Sequence, residues 1–292
     1  MKEYLLFQAY GLQEVIDECK FALLRLLTVY SPATCPPVVI YTDQPDAFAL
    51  FNPGITLHIR LIQADDITRW KGSNRFVHRV KIEVIKDCLQ RYPGKLVYMD
   101  TDTYCLQPLD EVFQKIAPAF VFFHEDEGTI RPAHNLHFQK WKNFLLSGTA
   151  QALLPEKALD THMWNAGCIG LDSSHLPLLD EVLEWTDKLY PLFPRHTVEQ
   201  FSFCYVFQQQ GITIAPAGSY VFHYWNLKEF RKVLNVFFTS GRYNSLPEWA
   251  AQSLQLDPRQ IIAEKESYEH SSFFSRLLKK LRGRHWRIEQ YI

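Results

Sequence analysis

The chain has no CxxC pair and no short cysteine framework: Cys19, Cys35, Cys88, Cys105, Cys168 and Cys204 stand far apart in 292 residues. That spacing excludes a disulfide scaffold and predicts six reduced thiols in or near a core. No apolar run approaches the roughly 18 residues of a membrane span. The opening MKEYLLFQAYGLQEV turns polar too soon for a signal peptide, so a cytoplasmic protein is expected. Neither sign of charge prevails, with 31 Lys plus Arg against 32 Asp plus Glu and a net charge of −1. Without a basic field there is nothing to gather nucleic acid, and a dedicated DNA or RNA binder is excluded. Low-complexity tracts, internal repeats and Gly/Ser linkers are also missing, which rules out disordered, collagen-like and coiled-coil chains. What is abundant is aromatic surface, 14% of residues with 21 Phe and seven Trp, enough to bury a substantial core in a chain of this length.

The first hundred residues alternate short apolar runs with amphipathic stretches, the pattern of an α/β protein with a mostly parallel sheet. YLLFQAY, PPVVIYTDQ, ITLHIRLI and KLVYM read as strands. Glu14 to Tyr30 carries Val15, Cys19, Ala22, Leu23 and Leu26 at helical spacing and stops at Ser31-Pro32, because the residue before proline is pushed out of the helical region. Val77 to Tyr92 is a second helix, ended by Pro93-Gly94. Beyond residue 100 the alternation loosens. AFVFFHEDEG and CIGLDS read as strands, and helices are expected around Leu109 to Ile116, Leu178 to Tyr190 and Val198 to Gln209. This organisation predicts one main domain over residues 1–230 and a helical C-terminal appendix over 231–292.

KLVYM runs directly into Asp100-Thr101-Asp102-Thr103. A D-x-D tripeptide arises by chance about once in a chain of this size, so its position carries the information. In parallel α/β sheets ligands bind beyond the carboxyl ends of strands, and two carboxylates just past the most apolar strand offer hard oxygen ligands to a divalent cation. A polar strand exit without metal would have the same sequence.

Two families place paired aspartates after an apolar strand. KLVYMDTDTYCLQPL resembles the D-x-D segment of GT-A-fold glycosyltransferases, in which the second Asp holds the metal that bridges a nucleotide-sugar diphosphate. It also resembles haloacid-dehalogenase-like phosphatases, where Asp100 would be the nucleophile and Asp102 the acid/base. The phosphatase motif normally sits on the first strand and needs a downstream acidic pair. Here three strands come first, and the adjacent pair Asp65-Asp66 lies upstream. THMWNAGCIGLDSS, RHTVEQFSF and VFHYWNLK extend the likeness to the transferases, glycogenin-like and lipopolysaccharide-type enzymes in particular, over roughly residues 3 to 230.

This resemblance implies a GT-A fold, a Rossmann-like mixed sheet flanked by helices, and a hexosyltransferase acting on a nucleoside-diphosphate sugar, a UDP-sugar by preference. Asp100, Asp102 and His223 would hold Mn2+ or Mg2+, and the nitrogen ligand favours manganese. Asn165, Ala166 and Gly167 would form a small turn against the donor sugar, joined by Tyr10 at the base and by Asp100, Thr101 and Lys228. Arg79 and Lys81, near the start of the helix that precedes D-x-D, are candidates for the diphosphate. They stand two apart and cannot share one helical face. Glu199 and Gln200 would face the anomeric carbon, Glu199 either as general base of an inverting displacement or as support for the donor in a retaining one. The acidic run His124-Glu125-Asp126-Glu127 is expected to be an exposed loop. A catalytically silent sugar-nucleotide or membrane-binding module is the remaining alternative.

From Ser271 onward, Arg276, Lys279, Lys280, Arg282, Arg284 and Arg287 oppose a single acid, Glu289, while Phe273, Phe274, Leu277, Leu278 and Leu281 fall at helical spacing. Such a helix either lies on an anionic membrane or packs its apolar stripe on the main domain. The first alternative would place the protein peripherally on the inner face of a membrane, with a glycan or lipid-linked acceptor.

Overall fold

The computed structural model describes residues 1–241, 243–272 and 286–291. Its first part alternates as expected, save for the unexpected short α2: β1 (Glu3–Gln8), α1 (Gln13–Val29), β2 (Val38–Thr42), β3 (Leu57–Leu61), α2 (Ala64–Trp70), α3 (Arg79–Arg91) and β4 (Lys95–Met99). Then follow β5 (Thr103–Cys105), α4 (Asp110–Lys115), β6 (Phe120–Phe123), β7 (Asp126–Thr129), α5 (Leu136–Leu145) and α6 (Gly148–Gln151). The remainder comprises β8 (His162–Trp164), β9 (Cys168–Asp172), α7 (Leu176–Leu189), α8 (Val198–Gln209), β10 (Thr213–Pro216) and β11 (Val221–His223). Three helices, α9 (Phe230–Thr239), α10 (Leu246–Ser253) and α11 (Pro258–Glu269), come after them.

Seven strands form one sheet in the order β10-β6-β9-β4-β1-β2-β3, and two small ribbons pair β11 with β5 and β7 with β8. Strand β9 runs antiparallel to both β4 and β6, whereas β1 to β4 are mutually parallel. The expected class, a mixed Rossmann-like sheet flanked by helices with further helices at the C-terminus, is therefore what the chain forms.

Side chains alternate across the sheet, and both faces are buried, which is why β4 reads as a continuous apolar run. Leu96 and Tyr98 pack with Val80, Val84 and Ile85 of α3 and with Leu179 and Phe201 beyond them. Val97 and Met99 pack on the opposite face with Cys19 and Leu23 of α1 and Val112 of α4. Phe237, Trp249 and Ala250 of α9 and α10 belong to that second core. A third cluster joins Phe21 of α1 to Tyr104, Tyr224, Phe230 and Leu234. All six cysteines are free, and five are fully buried.

AFVFFHEDEG does not form the single strand expected. Strand β6 ends at Phe123, and Asp126–Thr129 pairs instead with β8 in a separate ribbon. No helix among the described residues is long and apolar enough to cross a membrane. The amphipathic stripe of the C-terminal tail, Phe273 to Leu281, lies outside the described residues.

Candidate active site

Antiparallel β9 brings its amino end beside the carboxyl end of β4. Met99 pairs with Cys168, so the Asn165-Ala166-Gly167 turn meets the D-x-D turn directly, and the Asp100 N–H donates to the Gly167 carbonyl at 2.8 Å. The ribbon of β5 and β11 supplies the third side. It pairs Thr103 with His223, and the Tyr224 N–H donates to the Asp102 carbonyl at 3.0 Å. One ligand atom from each of Asp100, Asp102 and His223 lies within 4.8 Å of the others.

The donor chemistry of this trio fits a divalent cation. Asp102 is 7% exposed. His223 Nε2 stands 3.1 Å from Asp102 Oδ1, and Lys228 Nζ stands 2.5 Å from Asp102 Oδ2. Burial alone would raise the Asp102 carboxyl, but the hydrogen bond and charge of His223 and the charge of Lys228 outweigh it and hold the group well below the ordinary carboxylate range. At His223 Nδ1 the nearest group is Asn165 Oδ1, at 3.1 Å. An amide oxygen and a carboxylate oxygen only accept, so both ring nitrogens face acceptors, with Nε2 turned toward the aspartates. His124, buried beneath, meets the His223 ring edge to face at 5.3 Å.

Gly167 is required by this packing. A Cβ there would overlap His223 Nδ1 and Cε1 and approach Asn165 Oδ1 to 3.0 Å. The small turn thus serves the histidine ring at least as directly as any ligand.

Lys81 of α3 is 7% exposed. Its ammonium reaches the Ala166 carbonyl at 3.1 Å, Asp100 Oδ2 at 3.3 Å and Glu199 Oε1 at 3.4 Å. Burial disfavours this charge, yet Asp100 and Glu199 together raise the group to about 12. Glu199, in the first turn of α8, which is buried from Val198 through Phe207, is 3% exposed. Burial and the nearby Asp100 push its carboxyl up to about 7 against the opposing pull of Lys81. At 3.4 Å the Lys81 contact is an ion pair without good hydrogen-bond geometry, since Glu199 Oε1 has no hydrogen-bond partner.

These groups line a cavity of about 730 Å³. Its ionisable wall holds Asp100, Asp102, Glu127, Glu199, Lys81 and Lys228, while His78, His137, His196, Phe138 and Trp225 face it from the other sides. Four carboxyl groups meet two ammonium groups. Trp225 is 59% exposed, an open ring at the mouth.

Several expected residues fall elsewhere. Arg79 is engaged by Asp187 Oδ1 at 2.8 Å, the Trp70 carbonyl at 2.7 Å and Glu83 Oε1 at 2.8 Å, and it does not line the cavity. The Thr101 hydroxyl turns beneath the D-x-D turn toward Glu18 Oε2, 3.5 Å away. Tyr10 sits beyond β1 beside Asp43, outside the cavity lining, its phenol raised chiefly by burial. The adjacent acidic pair Asp65-Asp66 is on α2, where Asp66 accepts from the Gln63 N–H and from Arg69.

The expectation of an exposed loop at His124 to Glu127 is corrected. Glu125 and Asp126 are exposed, but His124 is 4% exposed and its Nε2–H donates to the Val221 carbonyl at 3.1 Å. Glu127 enters the cavity, accepting from Asn165 Nδ2 at 3.1 Å and from Gln200 Nε2 at 2.8 Å. The short β7–β8 pairing lifts this residue from the surface, and nothing local in an acidic run signals it. His78, His137 and His196 were likewise invisible in sequence, since three distant segments bring them together.

No protein family matches the chain, and no curated protein sequence matches it. Among solved structures, its fold is similar to that of mouse xyloside xylosyltransferase 1 in the apo form, with a TM-score of 0.47 and 12% identity, covering 74% of this chain and 85% of that one. The chemistry of the site rests on the side chains described above.

Proposed function

We propose that the chain is a metal-dependent glycosyltransferase that moves a sugar from a nucleoside-diphosphate sugar, a UDP-sugar by preference, to a hydroxyl of a glycan or lipid-linked acceptor. The observation that carries this reading is the grouping of Asp100, Asp102 and His223 beside Lys81 and Lys228 in one large cavity at the carboxyl end of β4. Asp100, Asp102 and His223 would hold Mn2+ or Mg2+, with manganese favoured by the imidazole. A divalent cation there supplies charge neutralisation for the diphosphate as the sugar leaves.

The chain's own groups divide the remaining work. Lys81, fixed between Asp100, Glu199 and the Ala166 carbonyl, keeps its charge at the floor and orients the Asp100 carboxylate. Lys228 has a side chain 54% exposed and is the ammonium able to turn toward a phosphate oxygen. Asn165, Ala166 and Gly167 form the close wall against the sugar. Gln200 faces the donor with the amide that Glu127 orients, and Glu199 supports that face from beneath Lys81. Tyr10, at the carboxyl end of β1, is assigned to the base.

Calorimetric titration of UDP tests the reading. We expect binding with Mn2+, little without it, and loss of the metal-dependent part in Asp102→Ala. Absence of UDP binding to the wild-type protein with Mn2+ would overturn the donor assignment. Phosphatase activity dependent on Asp100 would replace it.

A further inference from the structure

His78 just before α3, His137 in the first turn of α5 and His196 in the α7–α8 connection line one side of the cavity. Ring centroids stand 6.1 Å apart for His78 and His196 and 6.4 Å apart for His137 and His196. Among the described residues, none of these three imidazoles has a hydrogen bond or an ion pair to another residue. His124, His175 and His223 differ, since each is held by main-chain or side-chain partners. Polar side chains that line a concave site and lack a protein partner are left for a ligand or water. Phe138 and Trp225 add aromatic surface to the same cavity.

The charge on this side decides what it fits. No arginine lines the cavity, and its two lysines are bonded to Asp100 and Asp102. Lys140 and Arg195 come near His137 without lining the cavity. The helix ends behind the rings hold no seat for an anion either. The Phe138 N–H is taken by Asn135 Oδ1 at 2.9 Å. The Arg79, Val80 and Lys81 N–H groups donate to the Phe76, Val77 and His78 carbonyls at 3.2 Å each, and the first turn of α8 carries the Glu199 carboxyl. An uncharged imidazole gives one hydrogen bond and accepts one, as a sugar hydroxyl does, and an aromatic ring covers the apolar face of a pyranose. We propose that this wall is the acceptor subsite and takes an uncharged sugar, its hydroxyls bonded to His78, His137 and His196 and its ring against Phe138 or Trp225. The subsite rests on the transferase reading above for its place in the reaction, but sugar binding and UDP binding are read separately.

Saturation-transfer difference spectra of the full-length protein test it, with the methyl glycosides of glucose, galactose and mannose as neutral probes and glucose 6-phosphate as the anionic one. UDP and Mn2+ are present to fill the donor side, and calorimetry follows UDP itself. At least one methyl glycoside is expected to bind, and glucose 6-phosphate should bind no tighter than methyl glucoside. His78 and His196 are exposed, so their truncation leaves the core intact. His78→Ala and His196→Ala should each weaken the sugar about 3- to 10-fold, the worth of one hydrogen bond. His78→Asn and His196→Gln keep a polar atom, should lose less, and serve if an alanine variant folds poorly. Binding of no methyl glycoside to a wild type that takes UDP, glucose 6-phosphate preferred by more than about 10-fold, or unchanged sugar affinity in both alanine variants would overturn the inference and leave the transferase reading standing. Sugar binding that the variants weaken, in a wild type that takes no UDP, would uphold the sugar wall and overturn the transferase reading instead.

Discussion

Glu199 and Lys81 show how a buried pair can keep one partner charged and leave the other near neutrality. Lys81 shares its ammonium among Asp100, Glu199 and a backbone carbonyl, so removal from water is compensated three times over. Glu199 has one long contact to the same ammonium and a like charge nearby, so its carboxyl takes up a proton at about 7 rather than at the ordinary 4.5. Between these two values the folded chain holds a proton that the unfolded chain has released. Stability from this group therefore falls as pH rises across that window. Buried His124, lowered to about 4, acts in the opposite sense, and a comparison with Glu199→Gln isolates the carboxyl. The stability of the variant relative to wild type should increase with pH from about 4.5 to about 7, measured by urea unfolding of metal-free protein. Parallel profiles would show that Glu199 titrates normally.

At the scale of elements, the D-x-D turn is braced from the side opposite the cavity. Glu18 of α1 is 1% exposed and receives two hydrogen bonds from Arg231 at the start of α9, at 2.8 and 3.0 Å, while the Thr101 hydroxyl stands over the same carboxylate. Truncating Arg231 leaves a buried carboxylate without its counter-ion. Arg231→Ala is expected to cost about 3 kcal/mol in urea unfolding, and a double replacement of Glu18 and Arg231 by apolar residues should recover much of it. A loss below about 1 kcal/mol would mean that solvent replaces the guanidinium. This brace was not legible in sequence, because its partners lie 213 residues apart. The four strands and the two long helices up to β4 were legible, since each carries its own hydrophobic period and its own stop, whereas the seven-residue α2 (Ala64–Trp70) was not. Asp100, Asp102 and His223 could be named together through family resemblance and not through spacing. Glu127 depends on the short ribbon β7–β8 and His137 on α5, elements of three to ten residues with too little periodicity to be read, and His78 and His196 sit in connections outside any element.

On the scale of the whole molecule, one antiparallel strand determines where chemistry can occur. Were β9 parallel to β4, the Asn165–Gly167 turn would lie at the far end of the sheet. As built, the carboxyl ends of β1, β2, β4 and β6 and the amino end of β9 share one edge. The ribbon carrying His223 folds over that edge. The cavity formed there gathers more carboxylates than ammonium groups, the imbalance that a divalent cation would correct. The most direct measurement is an anomalous diffraction map from crystals grown with Mn2+ and UDP. A single strong manganese peak enclosed by Asp100, Asp102 and His223 is expected, absent in Asp102→Ala. Bound UDP with no manganese at those three residues, or manganese held elsewhere, would contradict it.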